Sequence, residues 1–347
     1  MKSVLVTGGC GFIGSHICLA LMDKGYDLLV IDSCINSSEL AIEKVIELSF
    51  KNSKVKFLKG DLRNISFLKS VFEQAKKCNR PINFVIHLAG LKSVNESIKY
   101  PLIYWDNNVV GSLNLFKIMD EYSCRTIVFS SSATIYGHSK ENLINEECEI
   151  KPINPYGQTK ATIEKILFDL FKNSISQWKI ICLRYFNPVG AHHSGRIGED
   201  PLGIPSNLFP YISQVAIGRR EELSIYGNNW ETIDGTGVRD YIHIMDLAEA
   251  HVAALEYLIL GKKDFLTLNI GTGIGTSVLQ LVKTYENINN CKITYKFKKR
   301  RPGDLPTVIA DNKKALTTIN WTPKRNLEDI CRDGWNWQKN NPKGYKK

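Results

Sequence analysis

The sequence predicts an α/β fold, a doubly wound parallel sheet joined to a smaller and less regular α/β lobe. Three observations predict it. Through the first half, short apolar runs alternate with longer amphipathic ones, the pattern of strand–helix–strand units whose sheet is covered on both faces. The first run, SVLVTG (3–8), passes directly into TGGCGFIGSH, a glycine-rich turn that opens a helix. The second run, DLLVID (27–32), ends on Asp32, 18 residues after Gly14.

The elements follow in order. SVLVTG carries an unbroken Val-Leu-Val, as suits a strand buried on both faces, and 12–24 reads as a helix. After the strand at 27–32, the spacing predicts a helix over 39–50 and a strand at KVKFLKG (54–60). A helix over 65–77, a strand at NFVIHLAG (83–90), a helix over 107–121 and a strand at RTIVFSSS (125–132) come next. A long helix over 155–173 and the strand KIICLRYF (179–186) close this half. Ligands of such a sheet lie beyond the carboxyl ends of its strands. From 187 the texture changes, and NPVGAHHSGRIGEDPLGIPSN reads as loop. Beyond it the pattern predicts helices near 207–217 and over 246–260, 277–287 and 326–340, with strands at LSIYG (223–227) and FLTLNIG (265–271). The expected division is a Rossmann-type domain over 1–186 and a second lobe over 187–347, some of whose segments return to the sheet. No flexible linker marks the boundary, so a cleft between closely joined halves is expected.

Composition narrows the function. At 347 residues, 43% apolar and 23% charged, the chain can bury a sizeable core. No apolar run approaches the roughly 20 residues that span a bilayer, and MKSVLVTGG enters a strand-like run at once, so a soluble cytoplasmic protein without signal peptide is expected. The nine cysteines form no CxxC and have no histidine cluster beside them, which argues for free thiols and against a metal site. The net charge of +10 resides in residues 291–347, with 15 Lys/Arg against 5 Asp/Glu. These are interleaved with apolar positions instead of forming a stripe. A solvated surface able to steer an anionic substrate is expected, and no nucleic-acid partner.

The glycines of the first turn read as Gly9, Gly11 and Gly14 or as Gly8, Gly11 and Gly14. Either set serves a tight turn, a close approach of backbone to a pyrophosphate and a helix packed on a strand. Such a turn alone is weak evidence. Here it lies between strand and helix, and Asp32 stands where an acid would accept the adenosine ribose hydroxyls. Ser33 follows it, with no arginine to greet a 2′-phosphate, so the cofactor predicted is NAD.

Three tyrosines precede a lysine by four residues: Tyr136–Lys140, Tyr156–Lys160 and Tyr295–Lys299. Only the second sits at a helix start, after Asn154 as N-cap and Pro155 as first helical residue. Tyr156 and Lys160 thus share a helical face, and a cation held there lowers a phenol pKa. Tyr136 precedes Gly137-His138-Ser139, which argues loop, and Tyr295 to Lys299 falls in an alternating strand where four residues span roughly 13 Å. Tyr156 is the catalytic candidate, and the serine turn at Ser130–Thr134 ends a strand where it can face it.

The glycine turn, Asp32, Gly60-Asp61-Leu62, HLAG (87–90), the serine turn and YxxxK together resemble the extended short-chain dehydrogenase/reductase family. Longer segments (GFIGSH, FSSSATIYG, NPYGQTK, LRYFNPVGAH, GEDPLGIPSNL, DGTGVRDYIHIMDLA, RRPGDLP and GWNWQ) resemble its UDP-glucose 4-epimerase branch, nearly end to end. The resemblance implies that Gly8, Gly11, Phe12, Ile13 and Gly14 hold the NAD pyrophosphate and that Asp32 and Asn36 hold the adenosine ribose. Asp61 and Leu62 would flank the adenine, and Ala89, Lys92, Asn107 and Ser130 the rest of the cofactor. Lys160 would bond the nicotinamide ribose, with Tyr185 near that ring. Asn187, Asn207, Leu208, Tyr226, Arg239, Arg301 and Asp304 would hold UDP. Tyr156 would move the sugar 4-hydroxyl proton, with Ser132 positioning that hydroxyl, while hydride passes to NAD and returns to the other face of a 4-keto sugar. A homodimer formed through a helical flank is implied as well.

Rival readings remain. Nucleotide-sugar 4,6-dehydratases resemble the chain in its loop and YxxxK, but carry an Asp-Glu pair where this sequence has Ala133-Thr134-Ile135. Other UDP-sugar epimerases, for UDP-glucuronate or UDP-N-acetylglucosamine, share the motifs. Val308 occupies a position that resembles a gate, and its small size implies some activity on N-acetylated sugars. A nonenzymatic NAD-binding regulator is the reading from another class. Such proteins tend to lose Tyr156 or Lys160, and here both are kept with Ser132.

Overall fold

The computed structural model describes residues 3–345 except 52, 139–140, 174–176, 204, 206, 262–263 and 302. Lys140 of the first Tyr–Lys pair, and Ile204, Ser206 and Pro302 of the longer motifs, lie outside the described residues.

The first half runs β1 (Ser3–Thr7), α1 (Phe12–Asp23), β2 (Asp27–Asp32), α2 (Leu40–Leu48), β3 (Val55–Lys59), α3 (Ile65–Lys77) and β4 (Ile82–His87). Two short helices, α4 (Val94–Lys99) and α5 (Pro101–Tyr104), lead through a π-helical turn (Trp105–Val110) into α6 (Gly111–Glu121). Then come β5 (Thr126–Ser132), a 3-10 turn (Ala133–Tyr136), β6 (Leu143–Ile144), α7 (Pro155–Lys172) and β7 (Lys179–Tyr185). The second half holds β8 (Asn187–Val189), α8 (Leu208–Ala216), β9 (Leu223–Tyr226), β10 (Val238–Arg239), β11 (Tyr241–His243) and α9 (Ile244–Leu260). It closes with β12 (Phe265–Ile270), β13 (Thr276–Ser277), α10 (Val278–Asn289), β14 (Tyr295–Lys298), β15 (Thr307–Ala310), α11 (Lys313–Thr318) and α12 (Leu327–Asn340).

Seven parallel strands form the central sheet in the order β12-β7-β5-β4-β1-β2-β3. Side chains of a strand point alternately to the two faces, so each strand feeds two cores. Val4 and Val6 face one core with Ile17, Leu21, Leu247 and Leu255, from α1 and α9. Leu5 faces the other, with Leu68, Leu115, Ile163 and Leu167 from α3, α6 and α7. This is the doubly wound sheet that the sequence predicts. Its order reverses between β1 and β4, where such sheets bind ligands.

The predicted helix over 107–121 starts differently. Residues 105–110 form a π turn, the wider winding that helices adopt where a side chain must be re-aimed. Asn108 is buried there, its amide oxygen accepting from Leu91 N (2.8 Å) and its amide nitrogen donating to Leu91 O (3.0 Å) and Thr159 Oγ1 (3.1 Å). That leaves Asn107 on the cleft. Several short strands missed by the sequence reading, such as β10 and β15, build small sheets that frame the opposite wall.

The basic residues after 291 are widely paired with acids. Lys296 meets Glu222, Arg301 Asp304, Lys324 Glu249, Arg325 Asp246 and Arg332 Asp329. Among the described residues no helix is long and apolar enough to cross a membrane, and no cluster of three His, Cys, Asp or Glu could hold a metal ion.

Candidate active site

The carboxyl ends of β1, β4, β5 and β7 open on a cavity of about 1000 Å³ whose far wall comes from residues after 187. Every site residue expected from the sequence lines it, from Gly8 and Asp32 at one end to Arg239, Arg301 and Asp304 at the other.

The cofactor end is built from backbone. Gly8 has φ +73°, and a Cβ there would fall 2.7 Å from Ala89 N. A Cβ on Gly14 would fall 2.2 Å from Gly8 O, so the helix can pack on the turn only without one. Helix α1 begins at Phe12 with Gly11 as N-cap and no side-chain cap, which leaves its first-turn N–H groups and the positive end of its dipole available to an anion. Asp32 is drawn to this turn, accepting from Cys10 N (3.0 Å), Cys34 N (2.8 Å) and Ser37 Oγ (2.9 Å). Asp61 pairs with Arg63 at 2.6 Å, and that guanidinium holds its carboxyl below the usual range. A helix dipole free of side chains, glycines where a Cβ would jam and an acid at the end of β2 fit a dinucleotide.

The chemical centre is a register between β5 and α7. Asn154 caps α7 by accepting from Gly157 N at 2.9 Å, which sets the helix phase. Tyr156, Lys160 and Glu164 then recur every four residues on the face toward β5. Lys160 Nζ donates to Ser130 O at 2.7 Å and stands 4.9 Å from the Phe129 ring centroid and 6.0 Å from that of Tyr156. Ser131 Oγ donates to the Glu164 carboxylate. Ser132 Oγ accepts from Thr134 N at 3.2 Å and bonds Thr134 Oγ1 at 2.9 Å, and its hydroxyl also acts on the Tyr156 phenol. Three consecutive serines thus meet three successive turns of one helix.

Burial governs the charges here. It pulls Lys160 down to about 8, with Glu164 opposing. It raises Tyr156 above its ordinary value, and the Ser132 hydroxyl opposes. Burial, not the lowering expected from Lys160, thus governs the phenol in the protein alone. Glu164 is itself held by Arg184, Nε to Oε1 at 3.0 Å and Nη2 to Oε2 at 2.7 Å. Arg184 Nη1 donates to Tyr136 OH (2.9 Å), which donates to Asn269 Oδ1 (2.6 Å). Tyr136 lies in a 3-10 turn where loop was expected, and its phenol braces this buried chain. His87 of the HLAG segment is likewise a core residue, bonded to Thr7 Oγ1 and Ser112 Oγ at 2.8 Å each. Tyr185 is buried with its hydroxyl 3.2 Å from His251 Nε2.

The far wall carries two guanidinium groups. Arg239 Nη1 donates to two carbonyls, Val238 O and Leu305 O, and burial lowers its pKa, so an anion there would relieve it. Arg301 lies 4.4 Å from the Tyr226 ring centroid and 3.3 Å from Asp304. A forked pair of arginines beside an aromatic ring suits a diphosphate and a base. Sequence reading missed Thr134, Glu199, Trp230 and Tyr345, which also line the cavity. Glu199 belongs to a segment read as loop, and Trp230 and Tyr345 follow no recognised motif. Val308 does not line the cavity; it packs on β15 against the cluster of Ile135, Tyr136, Ile144 and Phe186.

Fold and site together define a dinucleotide-dependent enzyme of the extended short-chain dehydrogenase/reductase class. The family model described as GDP-mannose 4,6 dehydratase matches residues 5–334. UDP-glucose 4-epimerase 2 of Arabidopsis thaliana is 50% identical over 99% of this chain and 97% of its own length. UDP-glucose 4-epimerase of Bacillus subtilis is 48% identical over 99% of both. The crystal structure of UDP-glucose 4-epimerase from Bifidobacterium longum in complex with NAD+ and UDP superimposes with a TM-score of 0.93 at 44% identity, over 99% of this chain and 100% of that one. The chain belongs to the UDP-glucose 4-epimerase family.

Proposed function

We propose that the protein interconverts UDP-galactose and UDP-glucose by NAD-dependent 4-epimerisation. The observation that carries this reading is the convergence of Tyr156, Lys160 and Ser132 on a cavity that joins the glycine turn to Arg239 and Arg301. The relatives named UDP-glucose 4-epimerase support the substrate. Dehydratase chemistry, for which the matching family model is named, lacks its acids here: residues 133–135 are Ala, Thr and Ile.

Bound NAD supplies a reversible hydride acceptor for carbon 4 of the sugar, which passes through a transient 4-keto state. Gly8, Gly11, Phe12, Ile13 and Gly14 would hold its pyrophosphate, and Asp32 and Asn36 its adenosine ribose. The Tyr156 oxygen takes and returns the 4-hydroxyl proton, acting as base and then as acid. Ser132, oriented by Thr134, positions that hydroxyl. The Lys160 ammonium favours the phenolate by charge and is fixed for this by the Ser130 carbonyl. Arg239 and Arg301 hold UDP while the hexose turns, so binding energy is placed on the part of the substrate that does not react.

Residues 1–186 thereby carry the cofactor and 187–347 mainly the UDP-sugar. Some activity on N-acetylated sugars is included, since the small Val308 stands at the position that resembles the family's gate. The protein works in the cytoplasm as a homodimer, with the apolar surface of α4 to α6 covered by a second copy.

The test is incubation of the purified protein, with no NAD added, with UDP-galactose. UDP-glucose formed without accumulation of NADH supports a bound and recycled cofactor. No product, even with NAD supplied, overturns the proposal.

A further inference from the structure

A cofactor returned to its starting state within each turnover serves only while it stays bound, so its residence must outlast the cycle. The segment 193–202 bears on this. At one side it is pinned by α12 and the residues after it. Asn336 Nδ2 donates to His193 O at 2.7 Å, Asn341 Nδ2 to Gly195 O at 2.9 Å and Trp337 Nε1 to Glu199 O at 3.3 Å. Tyr345 adds more than any of these. Its hydroxyl accepts from Gly198 N at 3.2 Å and lies 3.4 Å from Gly198 O, and its own N–H donates to Asp200 Oδ2 at 2.9 Å. Its ring packs on Trp337 at 4.7 Å between centroids.

At the other side the segment reaches the cofactor end of the cavity. Glu199 Oε1 accepts from Lys92 Nζ at 2.9 Å, Leu202 N donates to Asn36 Oδ1 at 3.3 Å, and Arg196 pairs with Glu47 on α2. Lys92 and Asn36 are both residues expected to touch NAD. Tyr345 lines the same cavity as Cys10 and Gly11. The segment therefore crosses from the C-terminal helix to the cofactor half, with Tyr345 among its anchors at the C-terminal side.

We propose that residues 193–202 form a strap across the cofactor cleft, and that Tyr345 is the positioning residue that holds the strap in place and so sets how long NAD remains bound. This rests on the NAD-dependent function proposed above. The geometry explains why Gly198 has no side chain, since a Cβ would fall 2.4 Å from the Trp337 indole.

The holoprotein is loaded with radiolabelled NAD and chased with unlabelled NAD, and release is followed by gel filtration. Tyr345→Ala is expected to release NAD about tenfold faster than the parent protein, a loss of about 1.4 kcal/mol. Tyr345→Phe keeps the packing on Trp337 but loses the hydroxyl contacts, and should release it a few-fold faster. The affinity of Tyr345→Ala for UDP, held chiefly by Arg239 and Arg301, stays unchanged, and its kcat recovers at saturating NAD. A generally loosened fold would lose all three together. Glu199→Ala cuts the ties to Lys92 and to Asn207 Nδ2 (3.3 Å) without touching the C-terminal packing and should also accelerate release, which keeps the test alive should Tyr345→Ala fail to fold. Release at the parental rate from the folded variants overturns the proposal. Parent protein that takes up no NAD at all overturns the function itself, and the strap with it.

Discussion

At the scale of single residues, the site sets stability against chemistry. Lys160 is buried and bonded only to a carbonyl and aromatic faces, and its pKa falls from 10.5 to about 8. The folded state thus gives up that proton more readily than the unfolded one. Below pH 8 the folded protein carries the full cost of a buried ammonium, about 3 kcal/mol, and the cost fades as pH rises toward 10.5. Replacing the lysine by an apolar chain of similar length removes it, less the lost bond to Ser130 O. Lys160→Met is expected to be more stable than the parent at pH 7 by about 1–2 kcal/mol, read as a higher unfolding temperature, with the gain shrinking near pH 10. Turnover should be lost while UDP still binds; a variant less stable than the parent at pH 7 contradicts the argument. Tyr156→Phe tests the proton carrier without altering the fold. Removing one hydroxyl should lower kcat by about a thousandfold or more while NAD and UDP-sugar affinities hold, and retained activity would reassign the base.

At the scale of elements, β5 and α7 are the working pair, and Glu164 is the brace between them. Its carboxylate takes Ser131 and both forks of Arg184, one turn beyond Lys160. It is also the group that opposes the fall in the Lys160 pKa. Loss of the ammonium should appear as an alkaline limb in kcat/KM near pH 8, and Glu164→Gln should move that limb to lower pH, because the carboxylate that opposes the fall is then gone. An unmoved limb with lowered activity would mean that Glu164 matters only for packing. Asn154→Ala, which removes the α7 cap, should cost about 1 kcal/mol of stability, measured by denaturant unfolding. That Tyr156 and Lys160 share a helix start was legible because Asn154-Pro155 is a local signal. The brace was not: Ser131, Glu164, Arg184, Tyr136 and Asn269 are spread over more than a hundred residues, and only folding brings them together. The same holds for the two-residue strands β6, β10 and β13, too short to show any period, and for the π turn, which sets Asn108 against Thr159, distant in the chain.

At the scale of the whole molecule, the main sheet was legible because most of its strands carry apolar runs, whereas a surface that would join two copies leaves no such mark. Leu102 on α5 is 81% exposed, and Ile98, Ile103 and Val110 nearby are also exposed. They cannot turn inward. Tyr104 OH donates to Glu96 Oε2 at 2.8 Å and accepts from Ser93 N at 3.0 Å, fixing α5 on α4 with its leucine outward. Apolar side chains held outward on adjoining helices fit burial against a second copy of the same face, as a two-fold interface requires. The segment also leans on α7 through Asn108 and Thr159, so an interface there would steady α7 from behind. Leu102→Glu combined with Ile103→Glu should convert a dimer to a monomer in sedimentation velocity, because charge on this face cannot be buried without a partner. The melting temperature of the parent protein should rise with protein concentration, and that of the variant should not. A parent that sediments as a monomer at micromolar concentration refutes the interface.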